Sequence, residues 1–216
     1  MNYEELDVLY RSRRILLNIL KQDEYVTTQY ETFGPWEIEA MAAAGPQALQ
    51  MTMKRPAEGS RPTTVRVMYS ITKLKQKLST FISDLTDTEK STDTIDPATT
   101  EVIVIVLEDV ADVFHAAALN AWISDKKIRI RFFKAHNLVF DPREHVLVPP
   151  HIKVPPEEHA ELLKQSYIRS KMNLPFIRFH EDMIGRIMGL LPGDIVKITR
   201  PSPAAGLYDI YRVCVP

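Results

Sequence analysis

One cysteine, Cys214, is all the thiol in the 216 residues, so the chain builds neither an intramolecular disulfide framework nor a cysteine-based zinc site. That inventory fits a reducing compartment. Glycine is also scarce: 7 scattered residues exclude a phosphate-cradling Gly-rich loop, and there is no Gly-x-Ser-x-Gly elbow. Neither charge dominates. With 27 basic against 28 acidic side chains the net charge is -1, so any contact with nucleic acid has to be local rather than the effect of a global positive field. No apolar run is long enough for a bilayer, and Met1 to Arg14 is studded with charge where a signal peptide needs an apolar core. These exclusions predict a soluble intracellular protein with no membrane association.

What is present is enough apolar content, 45%, to fill two modest cores. From Glu4 to Leu20, residues Leu6, Leu9, Tyr10, Leu16, Leu17 and Leu20 fall near one helical stripe while Arg11 and Arg14 turn outward. A second helix is expected from Pro35 until Gly45-Pro46 stops it. Alternation at Leu49, Met51 and Met53, and again at Val65, Val67 and Tyr69, predicts two paired strands around a breaker-rich loop, Arg55 to Pro62. Thr72 to Leu85 reads as a helix with Leu74, Leu78, Phe81, Ile82 and Leu85 inward. Polar Thr86 to Thr100 is expected to be a surface loop. Val102 to Leu107 is an unbroken apolar run of strand length, which predicts a strand covered on both faces. A helix around Ala111 to Trp122, a strand Ile128 to Phe133 and a short strand near Leu138 to Phe140 complete a mixed sheet flanked by helices.

A boundary is expected at Asp141 to His145, followed by an extended proline-rich connection, Val148 to Pro156. Beyond it come a helix Glu157 to Ser166, a strand Phe176 to Phe179, a short helix Asp182 to Met188 and a tight turn Gly189 to Asp194. A strand Ile195 to Thr199, a turn Pro201 to Gly206 and a return strand Leu207 to Val215 end the chain in a hairpin. The fold class is α+β, with a mixed α/β domain at 1-143 and a small α+β domain at 144-216.

Several residue groups could carry chemistry. His145, His151, His159 and His180 match no zinc spacing, so no metal and no cofactor is expected. Glu157-Glu158 and Glu181-Asp182 sit where helix N-termini favour negative charge, so capping explains them better than acid/base work. A metal-dependent nuclease needs carboxylates and a lysine at a strand edge; Asp96 and Glu101 precede the buried strand, but Ile103 occupies the place of the lysine. Arg11, Arg13 and Arg14, or Lys73, Lys75 and Lys77, offer cations to a DNA backbone, and a merely solvated helix face explains the same pattern. Arg200, Tyr208, Tyr211 and Arg212 on the terminal hairpin are residue types that anchor protein interfaces, with plain strand packing as the bland alternative.

An ordered series of motifs runs from His145 to Val215: His-x-Leu-Val-Pro-x-His at 145–151, Leu174-Pro175, Gly189-Leu190-x-x-Gly193, Val196-Lys197-Ile198-x-Arg200-Pro201-Ser202, Ala205-Gly206-x-Tyr208 and Tyr211-Arg212-x-Cys214-Val215. This series resembles the assembly domain of the shared small subunit of eukaryotic nuclear RNA polymerases, whose C-terminal half corresponds to a small polymerase subunit that stands alone in archaea. The resemblance of residues 1-143 to that family's nuclease-like jaw domain lies more in element order than in residues. Three positions depart from the family pattern. Glu108-Asp109-Val110-Ala111 replaces a Thr-Pro-Ser-Ala turn near the expected DNA-facing loop, Met183 replaces a proline, and Pro203-Ala204 replaces Glu-Thr.

The resemblance implies a non-catalytic polymerase subunit in the nucleus, a hetero-oligomer with the largest subunit and other polymerase subunits. The C-terminal domain would anchor it and the jaw would approach downstream duplex DNA. It extends the expected partner-binding set to Arg186, Leu190, Lys197, Arg200, Ser202, Tyr208, Tyr211 and Arg212, with Arg11, Arg14, Lys73, Lys75 and Lys77 as the DNA-proximal candidates. Replacing Tyr211 and Arg212 together by alanine is expected to release the chain without unfolding it. A free-standing nuclease-like DNA-binding protein and a stand-alone transcription adaptor are the alternatives.

Overall fold

The computed structural model describes residues 2–56, 62–86, 95–96, 98–204 and 206–216. The chain forms two compact units, Met1–Asp141 and Pro142–Pro216.

In the first unit helix α1, Tyr3–Gln22, starts with a reciprocal cap: Asn2 Oδ1 accepts the Glu4 N–H at 2.6 Å and Glu5 Oε2 accepts the Asn2 N–H at 3.0 Å. Its apolar stripe buries Leu6, Leu9, Leu16, Leu17 and Leu20. Helix α2 spans Pro35–Ala44 with proline in its first turn. Strands β1 (Met51–Lys54), β2 (Thr64–Ser70), β3 (Thr100–Val106) and β4 (Arg129–Lys134) lie side by side in that order, β1 antiparallel to β2 and the others parallel. Every residue of β3 is buried. Helices α3, Leu78–Thr86, and α4, Asp112–Ile123, connect the parallel strands.

Three details of this unit differ from the pattern reading. Leu49 closes a 3₁₀ turn, Pro46–Leu49, and the strand begins at Met51. The third helix starts late, with a 3₁₀ turn at Lys75–Lys77, because Glu108 Oε1 accepts the N–H groups of Leu74, at 2.5 Å, and Lys75, at 3.0 Å. The expected strand Leu138 to Phe140 does not form: Ala135–Leu138 is a 3₁₀ turn packed against α1, with Ala135 and Leu138 fully buried. Two residues three apart share one face in a 3₁₀ turn but lie on opposite faces of a strand. The polar Thr86 to Thr100 segment falls largely outside the described residues. At its end Asp96 holds a turn by accepting from Ala98 N and Thr99 Oγ1.

The second unit is a four-stranded sheet in the order β5 (His151–Lys153), β7 (Ile195–Ser202), β8 (Gly206–Val215), β6 (Phe176–Arg178). The segment expected as a bare extended connection therefore contributes a strand, β5, antiparallel to β7. Pro149, Pro150, Pro155 and Pro156 flank it; lacking N–H groups, they confine it to a sheet edge. Helix α5 is His159–Gln165 behind a 3₁₀ turn Pro156–Glu158, shorter than its apolar content suggested. Helix α6, Met183–Met188, is capped by Asp182 Oδ1 on the Gly185 N–H at 2.7 Å and ends in Gly189, whose left-handed φ of 64° glycine adopts without the steric cost of a Cβ. The hairpin is longer than expected: Pro201 pairs with Leu207 and Ser202 with Gly206, so both strands run into the segment read as turn. Val154, Leu174, Ile195 and Val213 form a core against which Leu162, Leu163 and Tyr211 pack. The architecture is α+β, with a C-terminal hairpin.

Candidate interaction surface of the C-terminal unit

Strand register distributes the hairpin side chains. Arg200 stands opposite Tyr208 and Arg212 opposite Val196, whereas Lys197 stands opposite Tyr211 and Asp209 opposite Thr199. Successive strand residues point to opposite faces, so Arg200, Tyr208, Arg212 and Ser202 share one face and Lys197 and Tyr211 the other. The eight expected partner-binding residues therefore do not form one patch.

On the Tyr211 face, Lys197 Nζ bonds Asp209 Oδ2 at 2.8 Å, and Thr199 Oγ1 donates to Asp209 Oδ1 at 2.7 Å. The hydrogen bond from Lys197, helped by that from Thr199, holds the Asp209 carboxyl below its ordinary range and raises the Lys197 ammonium above its own. A cleft of about 490 Å³ lies on this side, lined among others by Ile152, Glu158, Glu161, Lys197 and Tyr211. Ile152 is 59% exposed there.

On the other face a trough of about 400 Å³ crosses the sheet, with lining residues from β5 (His151), β7 (Ile198, Arg200), β8 (Arg212) and β6 (Phe176, Ile177, Arg178), and Glu181 and Asp182 at one wall. Arg212 Nη1 donates to Phe176 O at 2.7 Å, and Arg178 Nη1 lies 3.6 Å from Glu181 Oε1. Beyond the trough Leu207 and Tyr208 are 73% and 56% exposed.

Two of the expected residues are interior. Leu190 is buried, and so is Arg186, whose Nη2 donates to Glu181 O at 3.2 Å; burial lowers its pKa to about 10. Conversely, the sequence did not single out Phe176 or Ile152, because only strand pairing brings Phe176 beside Arg212 and Ile152 beside Lys197 and Tyr211.

The four histidines serve separate ends. His145 Nδ1 accepts the Leu147 N–H, His151 Nδ1 lies 2.6 Å from Pro149 O, and His180 is buried with φ at 60°. His159, also buried, bonds Val154 O through Nε2 and accepts from Lys171 Nζ through Nδ1 at 2.7 Å. Among the described residues no cluster of three or more His, Cys, Asp or Glu could hold a metal ion, and no helix is long and apolar enough to cross a membrane.

In the first unit, Arg11 is exposed and pairs with Asp7 at 3.5 Å, while Arg14 lies over the Tyr10 ring. Lys73, Lys75 and Lys77 are exposed. Arg13 departs from the surface role considered for it: it is 3% exposed and donates to Leu49 O at 2.7 Å. Glu101, the carboxylate a nuclease reading needs, is buried against Arg131 at 2.7 Å. Of the acids near the expected DNA-facing loop, Glu108 caps the third helix and Asp109 pairs with Lys134 at 2.6 Å.

Residues 140–214 match the family described as RNA polymerase Rpb5, C-terminal domain. The DNA-directed RNA polymerases I, II, and III subunit rpabc1 of Dictyostelium discoideum is 30% identical over 212 residues, 98% of this chain and 100% of that one. The corresponding subunit of Caenorhabditis elegans is 39% identical over 89 residues, 41% of each chain. The archaeal DNA-directed RNA polymerase subunit Rpo5 of Sulfurisphaera tokodaii is 41% identical over 75 residues, 35% of this chain and 87% of that one. The chain belongs to the Rpb5 family of RNA polymerase subunits.

Proposed function

We propose that this chain is a non-catalytic structural subunit of a nuclear DNA-directed RNA polymerase. In this reading the second unit is the assembly domain, anchoring the chain to the largest subunit, and the first forms part of the lower jaw near downstream DNA, with Arg11, Arg14, Lys73, Lys75 and Lys77 as weak DNA-proximal cations. Polymer synthesis then belongs to the large subunits, and this chain adds buried area and geometry. Similarity over essentially its full length to a subunit named for three polymerases carries the reading. The exposed hairpin side chains support it.

The test is co-purification of the tagged chain from nuclear extract. The expected outcome is recovery with the largest polymerase subunit in stoichiometric yield, and a tagged chain that sizes as a monomer refutes the reading. Leu207→Ala with Tyr208→Ala probes the interface better than changes at Tyr211 and Arg212. Tyr211 packs on the core and Arg212 bonds Phe176 O, so replacing those two mixes stability with binding. The Leu207 and Tyr208 pair is expected to lower recovery at unchanged thermal stability.

A further inference from the structure

We propose that the trough across the C-terminal sheet receives an acidic polypeptide segment of the polymerase partner, laying Asp or Glu carboxylates along it, one against Arg200 at one end and another against Arg212 toward the other. The proposal rests on the polymerase reading above and adds the chemistry of the contact. Arg200, Arg212 and His151 line the trough from one face of the sheet, Arg178 stands at its β6 edge, and Glu181 and Asp182 are the carboxylates beside it. One of those, Asp182, is already committed to the α6 cap at 2.7 Å. Glu181 reaches Arg178 only at 3.6 Å. Arg212 has one Nη on Phe176 O. Arg200 has no hydrogen bond or ion pair among the described residues.

Covering such a site with an apolar partner would strand unpaired cations away from water, so a docked neighbour must bring negative charge. The planar guanidinium fork matches a carboxylate bidentately. A nucleic acid strand is the poorer match: Glu181 and Asp182 on the wall repel a continuous row of phosphates. A single acidic side chain can sit clear of them, with its apolar neighbours on Phe176, 51% exposed, and Tyr208.

The test is charge reversal in the full tagged chain, Arg200→Glu with Arg178→Glu, read by recovery with the polymerase, with Arg200→Gln as a milder companion should the double variant melt early. The reversal is expected to lower recovery about tenfold or more at low salt, Arg200→Gln less, with the gap from wild type narrowing as salt screens the contact. Wild-type recovery of folded Arg200→Gln and of the reversed chain overturns the trough proposal while leaving polymerase membership standing. Failure of the unaltered chain to co-purify overturns the polymerase reading itself. A second arm follows the arginine Nε–H signals by NMR in the full chain while adding hexaglutamate or short duplex DNA. Shifts at Arg178, Arg200 and Arg212 with the peptide support the proposal, and shifts with DNA alone overturn it.

Discussion

Removing the Glu101 carboxylate should cost the first unit more than almost any other polar substitution. Glu101 and Arg131 lie on the neighbouring strands β3 and β4, their side chains are 7% and 8% exposed, and they bond at 2.7 Å. Glu101→Ala leaves the Arg131 charge buried without its carboxylate, a change of about 3–5 kcal/mol. For a chain of this size each kcal/mol shifts the melting midpoint by about 2–4 °C, which gives a fall of ~6–20 °C. Both tryptophans, Trp36 and Trp122, belong to the first unit, so their fluorescence during heating follows that unit without interference from the second. Glu101→Met with Arg131→Met should recover most of the loss, because a well-packed apolar pair replaces the ion pair with no charge stranded. A Glu101→Ala chain melting within about 1 kcal/mol of wild type refutes the reasoning. So does magnesium-dependent DNA cleavage by the intact chain that Glu101→Ala abolishes, since the carboxylate would then be catalytic.

Arg13→Ala should cost about 1–3 kcal/mol by leaving Leu49 O without its buried donor, whereas Arg11→Ala should stay within about 0.5 kcal/mol; urea unfolding of the two variants separates them. Burial holds His159 below its ordinary 6.5, with Lys171 and Lys153 opposing a second positive charge and Asp194 partly favouring it. The unfolded chain therefore binds that proton first, so this contribution is complete above pH 6.5 and is lost as pH falls toward the folded pKa. His159→Gln, which can still donate to Val154 O and accept from Lys171, should flatten that slope in urea titrations between pH 7 and about 5. Burial pushes the Cys214 thiol up to about 12, so a thiol reagent at neutral pH should label it only at the rate at which the second unit opens, and rapid labelling of the native chain counts against its placement.

Periodicity alone marked the elements whose cores close locally. The apolar run Val102 to Leu107 pointed to a strand covered on both faces, which β3 is, and the 3.6-residue stripe of α1 pointed to a helix packed along one side. The motif series in the last seventy residues likewise identified the family from sequence order. Whatever depended on residues distant in sequence stayed hidden. Nothing local distinguishes Arg13 from Arg11, yet only Arg13 meets Leu49 O, 36 positions away. Pro149 to Pro156 looks like a connector until β7 supplies the hydrogen-bonding partner that makes His151–Lys153 an edge strand. The tyrosine and arginine candidates were grouped by residue type on one hairpin, but strand pairing divides them between two faces, setting Arg200 and Arg212 on one and Tyr211 on the other. Composition and period record what each residue prefers to be near. Which residues meet is decided by register between strands far apart in the chain, and that exists only once the sheet has formed.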